Sequence, residues 1–260
     1  MSGVRGIVLD MEGVLHVDWS PIAGSAAAVA ELAAAGIELG VLTNTTGKTR
    51  ATIAERLAGI GFELPVERIT TAASAAAEHL RARHAGERVY ALVERGAVGE
   101  LDGIELVDDP GSAEVVLLGG PDESWTYPRL NAVFRALLGG VPLVAMQRNR
   151  WWPTAEGPAL DAGMFVVGLS YAAATEPVVA GKPSAEIYRS ACRLLGVDPS
   201  EAMMVGDDPE SDLAPAAGIG MRTCLVRTGK GASFGGDVDV DLDLPDLAAL
   251  PAALEGLTSV

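Results

Sequence analysis

Short apolar runs alternate with longer Ala-rich stretches along the first part of the chain. Ile7-Val8-Leu9 leads into Asp10-Met11-Glu12-Gly13. An apolar run that ends in an acid and then glycine predicts a buried strand opening into a loop. Pro21 to Ala35, with Val29 and Leu32 on one face and Gly36 as its stop, predicts a helix. Ile37 to Leu42 predicts a second strand, ending in Thr43-Asn44-Thr45-Thr46. Lys48 to Ala58 predicts a helix closed by Gly59 and Gly61, and Thr70 or Thr71 is a cap for another helix reaching Arg83. This β-α-β-α-α order implies a parallel sheet with right-handed crossovers.

From Gly86 the texture changes. Arg88 to Glu94, Glu105 to Val107, Val115 to Leu118 and Leu143 to Met146 read as strands, and Pro128 to Leu138 as a helix stopped by Gly139-Gly140. A Trp-, Pro- and Gly-rich loop, Asn149 to Gly163, precedes an apolar helix that ends near Ala174. Residues 84–176 therefore read as a second α/β unit inserted into the first, which spans residues 1–83 and 177–260. The first pattern then resumes. Pro177 to Ala180 precedes Gly181-Lys182-Pro183, followed by a helix from Ser184 to Leu195. Ala202 to Val205 is a strand ending in Gly206-Asp207-Asp208, Glu210 to Ala217 a short helix, and Arg222 to Val226 a strand. The stretch 229–244 reads as a loop, and Leu247 to Leu257 as a C-terminal helix.

Composition sharpens this picture. The chain is 49% hydrophobic but only 5% aromatic, so its core must be built from Ala, Val, Leu and Ile, as suits a parallel sheet covered by helices. Its 19 basic and 35 acidic residues leave a net charge of −16, without the basic surface that nucleic acid or anionic membrane requires. Cys192 and Cys224 have no neighbouring Cys or His, which fits neither a disulfide framework nor a zinc site. The most apolar window, Ala162 to Ala174, is too short to span a bilayer. Nothing like a signal peptide precedes Ile7. These features predict a soluble, cytoplasmic protein.

Four predicted strands end in polar residues: Asp10 with Glu12, Thr43 with Asn44, Lys182, and Asp207. Taken alone, Asp10 and Glu12 read equally well as solvated acids in a strand-end loop. In one parallel sheet, however, the four ends share an edge, where α/β proteins bind ligands. The set combines hard carboxylate oxygens, which suit Mg²⁺, a hydroxyl and amide, which suit phosphate, and an ammonium. It is the inventory of a phosphoryl-transfer site. Lys48 is not a P-loop lysine, because Leu42 stands where that motif needs glycine. Gly218-Ile219-Gly220 lacks the third glycine of a dinucleotide fingerprint, Thr223 standing there. His16 near the first loop touches substrate or is solvated. His79 and His84 read as surface residues.

Asp10-Met11-Glu12-Gly13-Val14, Leu42-Thr43-Asn44, Gly181-Lys182-Pro183 and Gly206-Asp207-Asp208 followed by Asp212 resemble the four ordered motifs of the haloacid dehalogenase superfamily of phosphatases. The insert between the second and third motifs resembles the α/β cap of the NagD type. Asn149-Arg150-Trp151-Trp152, Gly157 to Gly163 and Val226-Arg227-Thr228-Gly229-Lys230 are similar to the branch of phospholysine phosphohistidine inorganic pyrophosphate phosphatases.

The resemblance implies a Rossmann-like catalytic core with an inserted smaller cap domain, acting on a small phosphorylated substrate with Mg²⁺. It makes Asp10 the nucleophile, and Asp10, the Glu12 carbonyl and Asp207 the metal ligands. Asp208 and Asp212 become outer-shell groups. Thr43 and Asn44 hold phosphate, and Lys182 offsets charge. Trp151 and Trp152 become cap contacts to the substrate or packing residues of the cap, and pairing through the cap becomes the expected homodimer. One position departs from the pattern: Glu12 stands where most members carry the acid/base Asp. That departure implies a slow enzyme or labile substrate bonds, and it motivates a rival reading as a non-catalytic ligand-binding or interaction protein. A phosphonatase is disfavoured, because no Lys lies between Lys48 and Lys182 to form a Schiff base.

Overall fold

The computed structural model describes residues 3–154, 157–235 and 239–258. In chain order the strands and helices are β1 (Gly6–Leu9), β2 (His16–Val17), β3 (Ser20–Pro21), α1 (Ser25–Ala34), β4 (Glu38–Thr43), α2 (Arg50–Gly59), β5 (Ile69–Thr71), α3 (Ala72–Arg83), β6 (Val89–Leu92), β7 (Val115–Leu118), α4 (Tyr127–Leu138), β8 (Leu143–Ala145), β9 (Trp151–Thr154), β10 (Gly157–Leu160), α5 (Ala162–Ala173), β11 (Val178–Val179), α6 (Ala185–Leu195), β12 (Ala202–Gly206), α7 (Ala214–Ala217), β13 (Arg222–Val226), β14 (Leu242–Leu244) and α8 (Leu250–Thr258). They form two compact units. One comprises Met1–Thr43, Arg50–Thr70 and Lys182–Val260, the other Asn44–Thr49 and Thr71–Gly181.

The first unit is built on a six-stranded sheet in the order β14-β13-β12-β1-β4-β5. β1 pairs in parallel with both β12 and β4, Leu9 facing Val205 on one side and Val41 on the other. The chain runs outward from β1 in one direction through β4 and β5, and later in the other through β12, β13 and β14. The end of β1 is therefore a topological switch point, where a crevice opens beyond the carboxyl ends. Ile7, Leu9, Val41, Met203, Val205, Cys224 and Val226 belong to the core, together with Val29 and Leu32 of α1 and Ile53 and Leu57 of α2. The amphipathic helix α6 buries Ile187, Tyr188, Ala191, Cys192 and Leu195, a helical-period stripe, and ends at Gly196, whose φ of 68° the absent side chain permits.

The second unit has a four-stranded sheet in the order β11-β8-β7-β6 and a separate antiparallel ribbon of β9 and β10. Its core gathers Leu92, Val116, Leu118, Val133, Leu137, Leu143, Ala145 and Val166. Trp125 packs edge-on to Phe165, the ring centroids 4.9 Å apart.

Several expectations need correction. The two units divide at residues 43–44, 49–50, 70–71 and 181–182. Helix α3 goes with the second unit because Arg81 donates to the carbonyls of Glu100 and Asp102. Strand β11 goes there because it pairs with β8. Lys182 consequently follows a strand of the second sheet, not one of the sheet that carries Asp10. The expected strand Glu105 to Val107 is a single bridge between Leu106 and Val89. The Trp-rich loop contains the β9–β10 hairpin, with Trp151 opposite Leu160. The expected loop 229–244 contains β14, and β5 is an edge strand the sequence reading lacked. Thr71 does cap α3, in a reciprocal box with Ser74. No helix among the described residues is long and apolar enough to cross a membrane.

Candidate active site

Asp10 stands one residue beyond β1, its amide donating to the Val205 carbonyl at 2.9 Å. That bond continues the ladder into the switch point and fixes where the carboxylate projects. β12 delivers Asp207 from one side, and β4 delivers Thr43 from the other. Lys182 arrives from the turn before α6, following no strand of this sheet. Its Nζ lies 2.6 Å from Asp10 Oδ1 and 2.6 Å from Asp212 Oδ1. Asp10, Asp207, Asp212 and Lys182 are all buried, between 1% and 6% exposed. One carboxylate oxygen each of Asp10, Asp207 and Asp212 lies within 4.8 Å of the others. Two unit charges at that separation repel by roughly 3–4 kcal/mol at an effective dielectric of about 20.

One ammonium cannot balance three carboxylates, and the protonation behaviour reflects this. Burial works against the Lys182 charge, but Asp10 and Asp212 outweigh it and hold its pKa well above the ordinary value. The Asp207 carboxyl is pushed up to about 8, by burial first and then by the charges of Asp10 and Asp212. Asp212 rises to about 6, burial outweighing the pull of Lys182. A cluster of hard oxygen donors with surplus negative charge fits a divalent cation of the Mg²⁺ type.

Two glycines shape the Asp207 pocket. A Cβ on Gly13 would stand 2.0 Å from Asp207 Oδ2, and one on Gly229 2.1 Å from the same atom. Both glycines also have positive φ, 86° and 51°. The Lys230 amide donates to Asp207 Oδ2 at 2.7 Å, orienting the carboxylate.

The other expected residues are placed as follows. Asp212, expected in an outer shell, pairs directly with Lys182. A π-helical turn over Pro209–Leu213 carries it back to the Asp208 amide, which donates to Asp212 Oδ2 at 3.2 Å. Asp208 turns away, capping the amides of Glu210 and Ser211 and pairing with Lys230 Nζ at 2.9 Å. Glu12 is half exposed and tied to the β2–β3 hairpin. Its Oε1 accepts from the Asp18 amide at 2.8 Å, and its Oε2 lies 3.1 Å from His16 Nδ1. Burial raises the Glu12 pKa, but these bonds and the His16 charge together hold it below the usual value. His16 is neither solvated nor a free surface group. It is fully buried and stacked on Trp19, the centroids 4.6 Å apart, with Arg56 over the other ring 5.0 Å away.

Thr43 is buried at the end of β4. Asn44 belongs to the second unit, where its Nδ2 donates to Asn149 Oδ1 at 3.2 Å. Trp151 and Trp152 are about half exposed on the hairpin of that unit. Sequence reasoning offered His16 only substrate contact or solvent, and gave no role to Lys230 or Gly229. Lys230 and Gly229 lay within a quoted motif, but nothing in the sequence tied them to Asp207.

The haloacid dehalogenase-like hydrolase family matches residues 7–106, and a HAD-hydrolase-like family matches residues 179–240. The chain is 35% identical over 227 residues to haloacid dehalogenase-like hydrolase domain-containing protein 2 of Rattus norvegicus, covering 87% of this chain and 85% of that one. It is 34% identical over 236 residues to the phospholysine phosphohistidine inorganic pyrophosphate phosphatase of Homo sapiens, covering 88% and 85%. Among solved structures, a p-nitrophenyl phosphatase from Archaeoglobus fulgidus superposes with a TM-score of 0.89 at 27% identity, over 96% of this chain and 99% of that one. NagD from E. coli K-12 shares the fold, with a TM-score of 0.84 at 23% identity over 95% and 98%. The chain belongs to the haloacid dehalogenase-like hydrolase family. Within it, this hydrolase has phosphatases among its relatives and shares its fold with NagD.

Proposed function

We propose that the protein is an Mg²⁺-dependent phosphatase working through an aspartyl phosphate at Asp10. The observation that supports this best is the Lys182 ammonium held at 2.6 Å from both Asp10 and Asp212, with Asp207 alongside. An Asp10 oxygen attacks phosphorus, the bond from phosphorus to the leaving group breaks, and water then displaces orthophosphate from the acyl phosphate. Lys182 pairs with Asp10 and offsets charge on the phosphoryl oxygens. Thr43 and Asn44 hold that group. Mg²⁺, held by the Asp10 side chain, the Glu12 carbonyl and Asp207, would supply the charge neutralisation that phosphoryl transfer depends on.

Glu12 is the candidate proton carrier for the leaving group and then for water. Both its oxygens are engaged by the hairpin, so proton transfer requires it to release His16 or the Asp18 amide. Turnover should therefore be slow, or confined to substrates with labile bonds: activated monoesters, pyrophosphate or phosphoramidates. Residues 84–176, with Trp151 and Trp152, form the bulk of the cap in this reading, and residues 1–83 and 177–260 most of the catalytic core. Helix α5 exposes Met164, Val167 and Tyr171 along one face, a surface for pairing two caps in a homodimer. A cytoplasmic setting accords with two unpaired buried cysteines.

The test is turnover of p-nitrophenyl phosphate, pyrophosphate and phosphohistidine by the purified protein, with Mg²⁺ and with EDTA. No hydrolysis across a broad panel of phosphorylated compounds would overturn the reading and favour a binding role.

A further inference from the structure

The segment 44–49 leaves the end of β4 yet is fastened to the second unit at both ends. At its start, Asn44 Nδ2 donates to Asn149 Oδ1 at 3.2 Å, and a Cβ on Gly181 would stand 2.8 Å from Asn44 Oδ1. Further along, Thr46 Oγ1 donates to Glu94 Oε2 at 2.9 Å. A Cβ on Gly47 would stand 2.5 Å from the same carboxylate, and one on Gly96 2.0 Å from the Gly47 carbonyl oxygen. The two anchors are unlike. Glu94 meets the segment where no phosphate role is proposed. Asn149 grips the residue that follows Thr43.

Asn149 is itself fixed from behind. Its amide donates to Gln147 Oε1, and Gln147, 1% exposed, donates from Nε2 to Asp161 Oδ1 at 2.5 Å. Asp161 is the N-cap of α5, accepting from the Ala162 amide at 2.7 Å. The Asn149 carbonyl accepts from the Gly163 amide at 2.9 Å, and a Cβ on Gly163 would lie 2.4 Å from it. A partly buried chain of hydrogen bonds thus runs from the start of α5 to the side chain of Asn44.

We infer that Asn149 is a positioning residue for the hydrolytic reaction: its backbone amide is held by Gln147, itself anchored on Asp161, and its side-chain oxygen sets the placement of Asn44 and hence of the phosphoryl group. The inference rests on the phosphatase reading above for the role of Asn44. A donor must be placed to a fraction of an ångström, and a misplacement of about 1 Å costs on the order of 10²-fold in rate.

The experiment compares the full-length wild type with Asn149→Leu, Asn44→Ala and the double variant. It measures kcat and KM for p-nitrophenyl phosphate with Mg²⁺, inhibition by orthophosphate, and hydrogen exchange of the amides in segment 44–49. Asn149→Leu lowers kcat/KM and weakens orthophosphate inhibition, each about tenfold. The double variant is no worse than Asn44→Ala within about twofold, because Asn149 acts only through Asn44. Segment 44–49 exchanges faster in Asn149→Leu and regains protection in Asn149→Asp, which keeps the acceptor oxygen. Wild-type values in Asn149→Leu overturn the inference. So do losses that multiply in the double variant, or an Asn149→Asp that exchanges as fast as Asn149→Leu. If the wild type hydrolyses nothing, the phosphatase reading falls by itself, and the exchange comparison alone decides the inference.

Discussion

The carboxyl edges of the two parallel sheets solve the same architectural problem with opposite electrostatics. Beyond β1 and β12, the first sheet crowds Asp10, Asp207 and Asp212 around one ammonium and leaves the carboxylates unbalanced. Beyond β6 and β8, the second sheet sets Glu94 against the Thr46 hydroxyl and closes Gln147, Asn149 and Asp161 into a hydrogen-bonded chain. A strand end is thus not in itself a catalytic address. In the proposed reading, chemistry goes with the edge whose charges need an outside partner, and grip with the edge whose polar groups satisfy one another.

The contrast can be broken most forcefully at Asp10. Asp10→Asn should lower turnover of p-nitrophenyl phosphate at least about 10³-fold while leaving a folded protein, since it removes the proposed nucleophile and one of three crowded carboxylates. Steady-state kinetics and a thermal melt check both halves. Next in size is Gly13→Ala. Its Cβ would meet Asp207 Oδ2 at 2.0 Å in a backbone with φ of 86°. Activity should fall about 10²-fold as the carboxylate is displaced, with about 1–3 kcal/mol lost in urea unfolding from the strained backbone.

A third prediction concerns pH. Asp207 and Asp212 have folded-state pKa values raised to about 8 and about 6 from 3.8. A raised carboxyl costs nothing below its unfolded pKa, where it is protonated in both states, and its full penalty is present above the folded value. Metal-free protein should therefore lose stability as pH rises from about 4 to about 8. The depressed carboxyls, Glu12 and Asp208, act in the other direction, and their contribution is lost as pH falls below about 4. Urea midpoints in EDTA at pH 5 and pH 8 test the sign, and a midpoint higher at pH 8 would contradict it. Saturating Mg²⁺ should recover stability by mass action, about 2.7 kcal/mol at a hundredfold excess over its dissociation constant, and Asp207→Asn should abolish the recovery. The smallest effect belongs to the satisfied edge. Glu94→Gln keeps an acceptor for Thr46, so it should cost less than about 1 kcal/mol in urea unfolding and leave the Mg²⁺ response unchanged.

The asymmetry also explains what could be read from the chain. Asp10, Thr43 and Asp207 were legible because each follows an apolar run, and a parallel sheet brings such ends together. Lys182 was legible as a motif but not as geometry. Val178–Val179 is too short to declare which sheet it joins, and it joins the second. The pairing of Asp212 with Lys182 depends on the π-helical turn over Pro209–Leu213, which spacing alone read as an ordinary helix. The β9–β10 hairpin was hidden because Pro153 and Pro158 argue against strands, yet in a two-stranded ribbon they can face each other. The tie between Glu12 and His16 requires the hairpin turn at Asp18 and Trp19, with positive φ values of 47° and 60°; Asp tolerates that region, but Trp gives no sign of it in the sequence. The burial of His16 followed from the same turn.

The seam between Thr43 and Asn44 bears on how such proteins can be recombined. A chimera that exchanged only residues 84–176 with a relative would keep Asn44 and Thr46 from one parent while importing foreign counterparts for Glu94 and Asn149. Transplanting selectivity between relatives therefore calls for two coordinated grafts, the large segment and the short 44–49 strap, inherited from the same donor.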